Sequence, residues 1–359
     1  MKQLINGIQR YKHRLATVAL VFGFFVDLIT FRSLNLSIAL IILSVHICIV
    51  AGTIIVLSAP FEERDSFFTK VRSWLPVLQQ YSMGNLLSAF LILYSASGSI
   101  AQSWPFLVLV ALAAIGNEAL KLKRYRLLFQ TTLFFLNLML YTALLLPILF
   151  GSINTFTFVI SMIVAVAVFA LFRTALRLVA KESYEEHQTG IKRAGIAVLT
   201  VMVALYVTNL IPPIPLALKD IDFYYEVSRV GDTYHVREEK DGFLARYFDF
   251  TGDELRLATG EAAYVYTAVF APTKINTDVV HRWEYYNTKT KTWVTKNTVH
   301  FPIVGGRSGG YRGYSFTTQP APGVWRVSVE TTSGKVIGRA RLNIVQTDTS
   351  AVTKTTTLQ

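Results

Sequence analysis

Apolar residues in this chain follow two rhythms. Up to residue 211 they form long, nearly unbroken runs, and from Lys219 onward they alternate with polar residues at a period of two. A hydrocarbon core about 30 Å thick is crossed by roughly 20 residues of helix. Seven runs are read as spans: 15–31, 36–58, 75–100, 104–120, 127–150, 153–172 and 194–211, the fourth interrupted near its end by Gly116, Asn117 and Glu118. Between the rhythms stand Pro212, Pro213 and Pro215. Each lacks an N–H and biases its predecessor towards extended geometry, so the last helix ends there and 212–218 forms a stiff connector.

The second rhythm is clearest at 324–330. There Trp325, Val327 and Val329 fall on one face of a strand, and Arg326, Ser328 and Glu330 on the other. The last strand, 336–345, sets Ala340, Leu342 and Ile344 against Arg339, Arg341 and Asn343, with Thr332, Ser333, Gly334 and Lys335 as the hairpin turn between. Earlier strands are read at 224–229, 233–238, 262–271, 279–286, 293–303 and 312–318, whereas 240–260 fits no element. The pattern predicts a polytopic α-helical membrane domain over 1–211, then an all-β antiparallel sandwich over 219–345, immunoglobulin-like in class. At least two of Trp283, Trp293 and Trp325 are expected in its core. The Thr-rich tail, 346–359, reads as polar and disordered.

Charge sharpens this picture. Only 16% of residues are charged and 52% are hydrophobic, with a net charge of +12. Through Leu218 there are 17 Lys and Arg against 8 Asp and Glu; beyond it the count is 18 against 15. The excess therefore sits between apolar runs, which argues against nucleic acid as partner. Basic-rich and basic-poor loops alternate along the runs, placing 16 positive residues on one side and one, Arg32, on the other. Positive loops face the cytoplasm. The N-terminus is then cytoplasmic and the β domain periplasmic or extracellular, in a bacterial inner membrane. The first run is followed by Asp27 and Arg32 rather than a small-residue cleavage site, so it reads as a retained span. The 173–193 segment reads as a helix on the cytoplasmic membrane surface.

Inside the runs, Asp27 and His46 lie at depths that permit a pair across a short loop. Such a pair is either a proton or ion relay or a polar clamp between helices. Asn85, Gln130 and Asn137 read as interhelical hydrogen bonders. The single cysteine, Cys48, lies in an apolar run, so the β domain has no disulfide and no Cys-based metal site.

Several motifs of the β domain point to one family. Val280, His281, Arg282 and Trp283, then Trp293 and Val294, Arg312 to Ser315, Pro322 to Val327, and Gly334 to Gly338 resemble the DUF2914 family over residues 279–345. The resemblance implies a bacterial membrane-associated protein and carries no catalytic residues with it.

Residues with catalytic or ligating chemistry are present in the β domain but form no recognised pattern. Ser315, His281 and Asp278 offer a nucleophile, base and acid, but no Gly-x-Ser-x-Gly elbow surrounds a serine. His235, His281 and His300 lack zinc-ligand spacing. The glycines of 305–313 form no phosphate loop, since no Lys-Ser/Thr or helix follows. The expectation is no catalytic set, no cofactor and no metal. The binding candidates are aromatic and cationic: Arg282, Tyr285, Tyr286, Trp293, Arg307, Tyr311, Arg312 and Tyr314. Rings stack on sugars and guanidinium forks hold acid groups. The expected function is display of the β domain to an envelope protein or polysaccharide. The alternative is a transporter or intramembrane enzyme working through Asp27 and His46, with the β domain as lid or regulator.

Overall fold

The computed structural model describes residues 36–60, 66–97, 100–119, 126–213, 215–239, 253–271, 275–304 and 310–358. They divide into two compact units, one helical and one built around the residues from Pro212 onward.

Six helices are described: α1 Leu36–Ser58, α2 Ser66–Ala96, α3 Ile100–Ala119, α4 Arg126–Phe150, α5 Thr155–Val179 and α6 Lys181–Val207. α1 buries Ala39, Leu40, Leu43, Ile47, Val50 and Ile54 at helical spacing, while Ile41, Val45 and Val56 are exposed. A helix apolar all round needs an apolar solvent on its outer side. α4 is the hub, with Phe134, Met139, Leu140 and Leu144 almost fully buried. Polar contacts tie it to α2: Gln130 Nε2 donates to Gln79 Oε1 at 3.2 Å, and Tyr94 OH donates to the Leu140 carbonyl at 3.0 Å. Asn137 Nδ2 lies 3.1 Å from Met83 Sδ.

Seven spans are not what the described residues show. Four helices, α1, α4, α5 and α6, are long and apolar enough to cross a membrane, and 103–117 is a shorter apolar stretch. Most of the 75–100 run, through Ala96, falls within α2, where Gln79, Gln80, Ser82, Asn85 and Ser88 dilute its hydropathy. The 15–31 run lies outside the described residues.

The 173–193 segment is not a separate surface helix. It supplies the facing ends of α5 and α6, broken only at Ala180 (φ −130°, ψ 55°). The two helices run antiparallel: Phe158 stacks on Tyr206 at 3.7 Å, and Arg173 Nη2 donates to Tyr184 OH at 2.9 Å. A capping box of Asn154 and Thr157 starts α5.

Eleven strands are found among the described residues of the β unit: β1 Ala217–Tyr224, β2 Glu226–Val230, β3 Thr233–Glu239, β4 Asp253–Ala258, β5 Ala262–Phe270, β6 Asn276–Asn287, β7 Thr292–Val304, β8 Tyr311–Thr318, β9 Gly323–Thr331, β10 Val336–Thr347 and β11 Thr353–Leu358. They form three sheets, ordered β1-β5-β8, β4-β10-β9-β6-β7 and β11-β3-β2. Ala263 and Val265 of the first pack on Trp283, Trp325, Val327, Leu342 and Ile344 of the second. Tyr224 and Tyr266, on the opposite face of the first sheet, pack on Val227, Tyr234 and Val236 of the third. The result is a sandwich with a third layer, and β1-β5-β8 in the middle.

Three features differ from the sequence reading. β4 pairs with β10 in parallel, so the sheets are mixed rather than wholly antiparallel. β1 begins at Ala217, inside the connector, and pairs with β5. The tail is ordered: β11 pairs with β3 from Thr353↔Glu239 to Leu358↔Tyr234. Its threonines look like a disordered run in isolation, but their branched side chains suit a strand once a partner edge is present.

Candidate functional site

Strand alternation distributes seven of the eight aromatic and cationic candidates, those among the described residues, over different surfaces. On β6, His281 and Trp283 point into the sandwich, so Arg282, Glu284 and Tyr286 face outward from the five-stranded sheet. Pairing then adds neighbours to that outer face. Trp293 of β7 lies opposite Tyr286, Arg326 of β9 opposite Glu284, and Ser328 opposite Arg282. From β10, Arg341 lies opposite Arg326, and Arg339 opposite Ser328.

Two of these arginines hold buried carboxylates. Arg326 Nε and Nη2 donate to Glu284 at 2.6 and 2.9 Å. Arg282 Nε donates to Glu330 Oε2 at 3.0 Å. Burial raises the Glu330 carboxyl, and the hydrogen bond and charge of Arg282 oppose that rise. The Arg326 guanidinium also lies over the Trp293 ring, 4.2 Å from its centroid, and Arg341 approaches the same ring at 5.9 Å. Arg339 Nε donates to the neutral Ser328 hydroxyl at 2.7 Å. Burial, and then the Arg326 charge, lower the Arg339 guanidinium. In the β9–β10 turn, burial pushes the Lys335 ammonium down to about 7. Strands β10, β9 and β6 thus carry four guanidiniums on this face, Arg282, Arg326, Arg339 and Arg341, against the two carboxylates of Glu284 and Glu330, while on the edge strand β4 Arg256 pairs with Glu254 at 3.1 Å. A single exposed pair contributes little. Removing Arg326 leaves Glu284 buried without its partner, at a cost of roughly 3–5 kcal/mol, and the half-exposed Arg282 contributes less to its pair with Glu330.

The other candidates lie elsewhere. Tyr285 faces inward, 5.3 Å from Trp325. Arg312 and Tyr314 are on β8, on the face of the middle sheet that meets the third layer. Tyr234 OH donates to the Arg312 carbonyl at 3.0 Å there, and the Tyr314 ring sits 6.3 Å from Tyr234. Tyr311, one residue earlier on β8, falls on the opposite face by alternation. Arg307 and Asp27 lie outside the described residues. Only Arg282, Tyr286 and Trp293 are brought together. Glu284, Arg326, Arg339 and Arg341 were not among the sequence candidates. Alternation places each on a polar face, but only the register shows that these faces are one.

His281 and Ser315 do meet, but in the core. The Ser315 hydroxyl lies 2.9 Å from His281 Nδ1 and accepts from Trp283 Nε1 at 2.9 Å, while His281 Nε2 lies 2.9 Å from Thr267 Oγ1. His281 is fully buried, and burial pushes its imidazole down to about 3. Asp278 is exposed and no carboxylate joins the network. No substrate reaches this serine, and the group is a polar clamp between two sheets. His235 and His300 sit on β3 and β7, and among the described residues no cluster of three or more His, Cys, Asp or Glu groups has metal-binding geometry.

In the helical unit His46 packs edge-on against Tyr81 at 5.8 Å, and its Nδ1 is buried without a hydrogen-bond partner.

Solved structures with some likeness include an immunoglobulin-like protein from Pseudomonas aeruginosa, 9% identical, covering 36% of this chain and 96% of that one at a TM-score of 0.20. A β-glucosidase from Listeria innocua is 12% identical over 34% of this chain and 17% of its own, also at 0.20. An alkylpurine DNA glycosylase from Pseudomonas fluorescens, bound to DNA containing an abasic site analogue, is 11% identical over 83% and 96%, again at 0.20. TM-scores of this size carry no argument about fold or function. No curated protein matches the sequence. One family does match: residues 276–344, the segment from β6 through most of β10 that builds the arginine-rich face, correspond to DUF2914, a family described as a protein of unknown function.

Proposed function

We propose that this chain is an integral membrane protein that displays its β unit outside the cytoplasm to bind an envelope protein or polysaccharide. The observation that carries the reading is the outer face of the five-stranded sheet. Its central strands hold four arginines for two carboxylates, beside Trp293 and Tyr286. Four apolar helices supply the anchor, and the basic loops supply the orientation. The sandwich architecture alone does not specify a function.

The test is retention of an envelope component by the full-length protein in mild detergent. Deleting residues 219–359 is expected to abolish retention while the remaining helices stay in the membrane fraction. Unchanged retention after the deletion contradicts the reading.

A further inference from the structure

Arg339 and Arg341 differ from the other two arginines of that face. Arg282 and Arg326 are each committed to a buried carboxylate. Arg341 is exposed and lies over the Trp293 ring 5.9 Å from its centroid, and Arg339, partly exposed, has a neutral hydroxyl as its hydrogen-bond partner. Like charges directly across a strand pair are unfavourable, yet Arg341 sits opposite Arg326. Glu284 and Glu330 are hydrogen-bonded to Arg326 and Arg282 and reach Arg339 by charge alone, so the excess of positive charge is only partly offset inside the fold. The surplus of guanidinium over carboxylate on these strands is complementary to an anionic ligand.

Geometry and composition narrow the ligand. The two arginines lie two residues apart on one strand, about 7 Å by strand rise, which suits acid groups repeated along a polymer. Tyr286 and Trp293, half-buried at one end of the same face with ring centroids 5.1 Å apart, add an apolar rim of the kind that packs against sugar rings. From residue 219 onward the chain has 18 Lys and Arg against 15 Asp and Glu, a small excess that argues against a nucleic-acid backbone as ligand.

We propose that this face binds a carboxylate-bearing polysaccharide, with the Arg339 and Arg341 guanidiniums taking the acid groups and Tyr286 and Trp293 lining the ring positions. The assignment rests on the display role proposed above and names the ligand class for it.

The experiment measures binding to the full-length protein in detergent micelles, using polygalacturonate, neutral dextran and poly-L-glutamate as probes. Polygalacturonate is expected to bind, to weaken with added salt, and to bind the double variant Arg339→Gln/Arg341→Gln at least about tenfold more weakly. Arg341→Gln alone removes an exposed side chain and is expected to lose about fivefold with an unchanged melting temperature. Dextran is expected not to bind. Equal affinity of wild type and double variant for polygalacturonate overturns the assignment, as does equal binding of dextran. Tighter binding of poly-L-glutamate than of polygalacturonate replaces the saccharide with an acidic protein segment and also overturns it. Binding that disappears on deletion of 219–359 but survives in the double variant leaves the display role standing and overturns this face alone.

Discussion

Single residues of the β unit carry contacts that are expensive to disturb. Ser315 is the clearest case, because one hydroxyl serves both His281 Nδ1 and Trp283 Nε1 in the core. Ser315→Ala leaves two buried polar groups without that partner, and a loss of roughly 2–5 kcal/mol in unfolding free energy is expected. Denaturant titration followed by tryptophan fluorescence measures it; a loss below about 1 kcal/mol contradicts the clamp. His281 adds a pH dependence. Its imidazole stays neutral in the fold down to about pH 3, whereas the unfolded chain takes up that proton near the ordinary value of 6.5. Below 6.5 the unfolded state binds more protons, so stability falls as pH drops through the window from 6.5 to 3. The slope is about 1.4 kcal/mol per pH unit. His281→Gln is expected to remove that contribution, seen as a flatter stability–pH curve than wild type between pH 4 and 6. The motif containing His281 was readable in the sequence, but its partnership was not: Thr267 and Ser315 lie 14 and 34 positions away, and only packing of two sheets joins them.

Elements were legible where their period was strong. α1 is helical throughout its apolar run, Leu36–Ser58, and the β9–β10 hairpin turns at Gly334 (φ +78°), where a left-handed residue is needed. Elements were illegible where a partner defines them. β11 is a polar threonine run until β3 offers it an edge, and β4 is short and held in parallel beside β10. The α5–α6 hairpin was missed for another reason. Charges near Ala180 suggested a surface helix, whereas aromatic contacts on both sides hold the two ends as arms of one hairpin. Gly195 shows how close that packing is, since a Cβ there meets Phe169 at 3.6 Å and Phe135 at 3.8 Å. A leucine needs space that these rings occupy. Gly195→Leu is expected to cost roughly 1–3 kcal/mol by overpacking, read as a lower melting temperature of the detergent-solubilised protein. An unchanged melting temperature contradicts the packing of α6 against α4 and α5.

At the scale of the whole molecule, the sequence carries the division more plainly than the site. Three prolines and a change of apolar period separate helices from strands without any knowledge of contacts. The arginine-rich face depends on the register of four strands, so the sequence candidates divided among three surfaces once folded. The span count was also less secure than the division, because α2 mixes polar side chains into its apolar run and only four described helices meet both length and apolarity. Orientation is the claim on which the display role rests. In a Cys48→Ala background, Lys289→Cys in the β6–β7 turn and Lys123→Cys in a basic loop are to be labelled in intact cells with a membrane-impermeant thiol reagent. The account predicts reaction at position 289 and protection at 123; reaction at 123 with protection at 289 would place the β unit in the cytoplasm and contradict it.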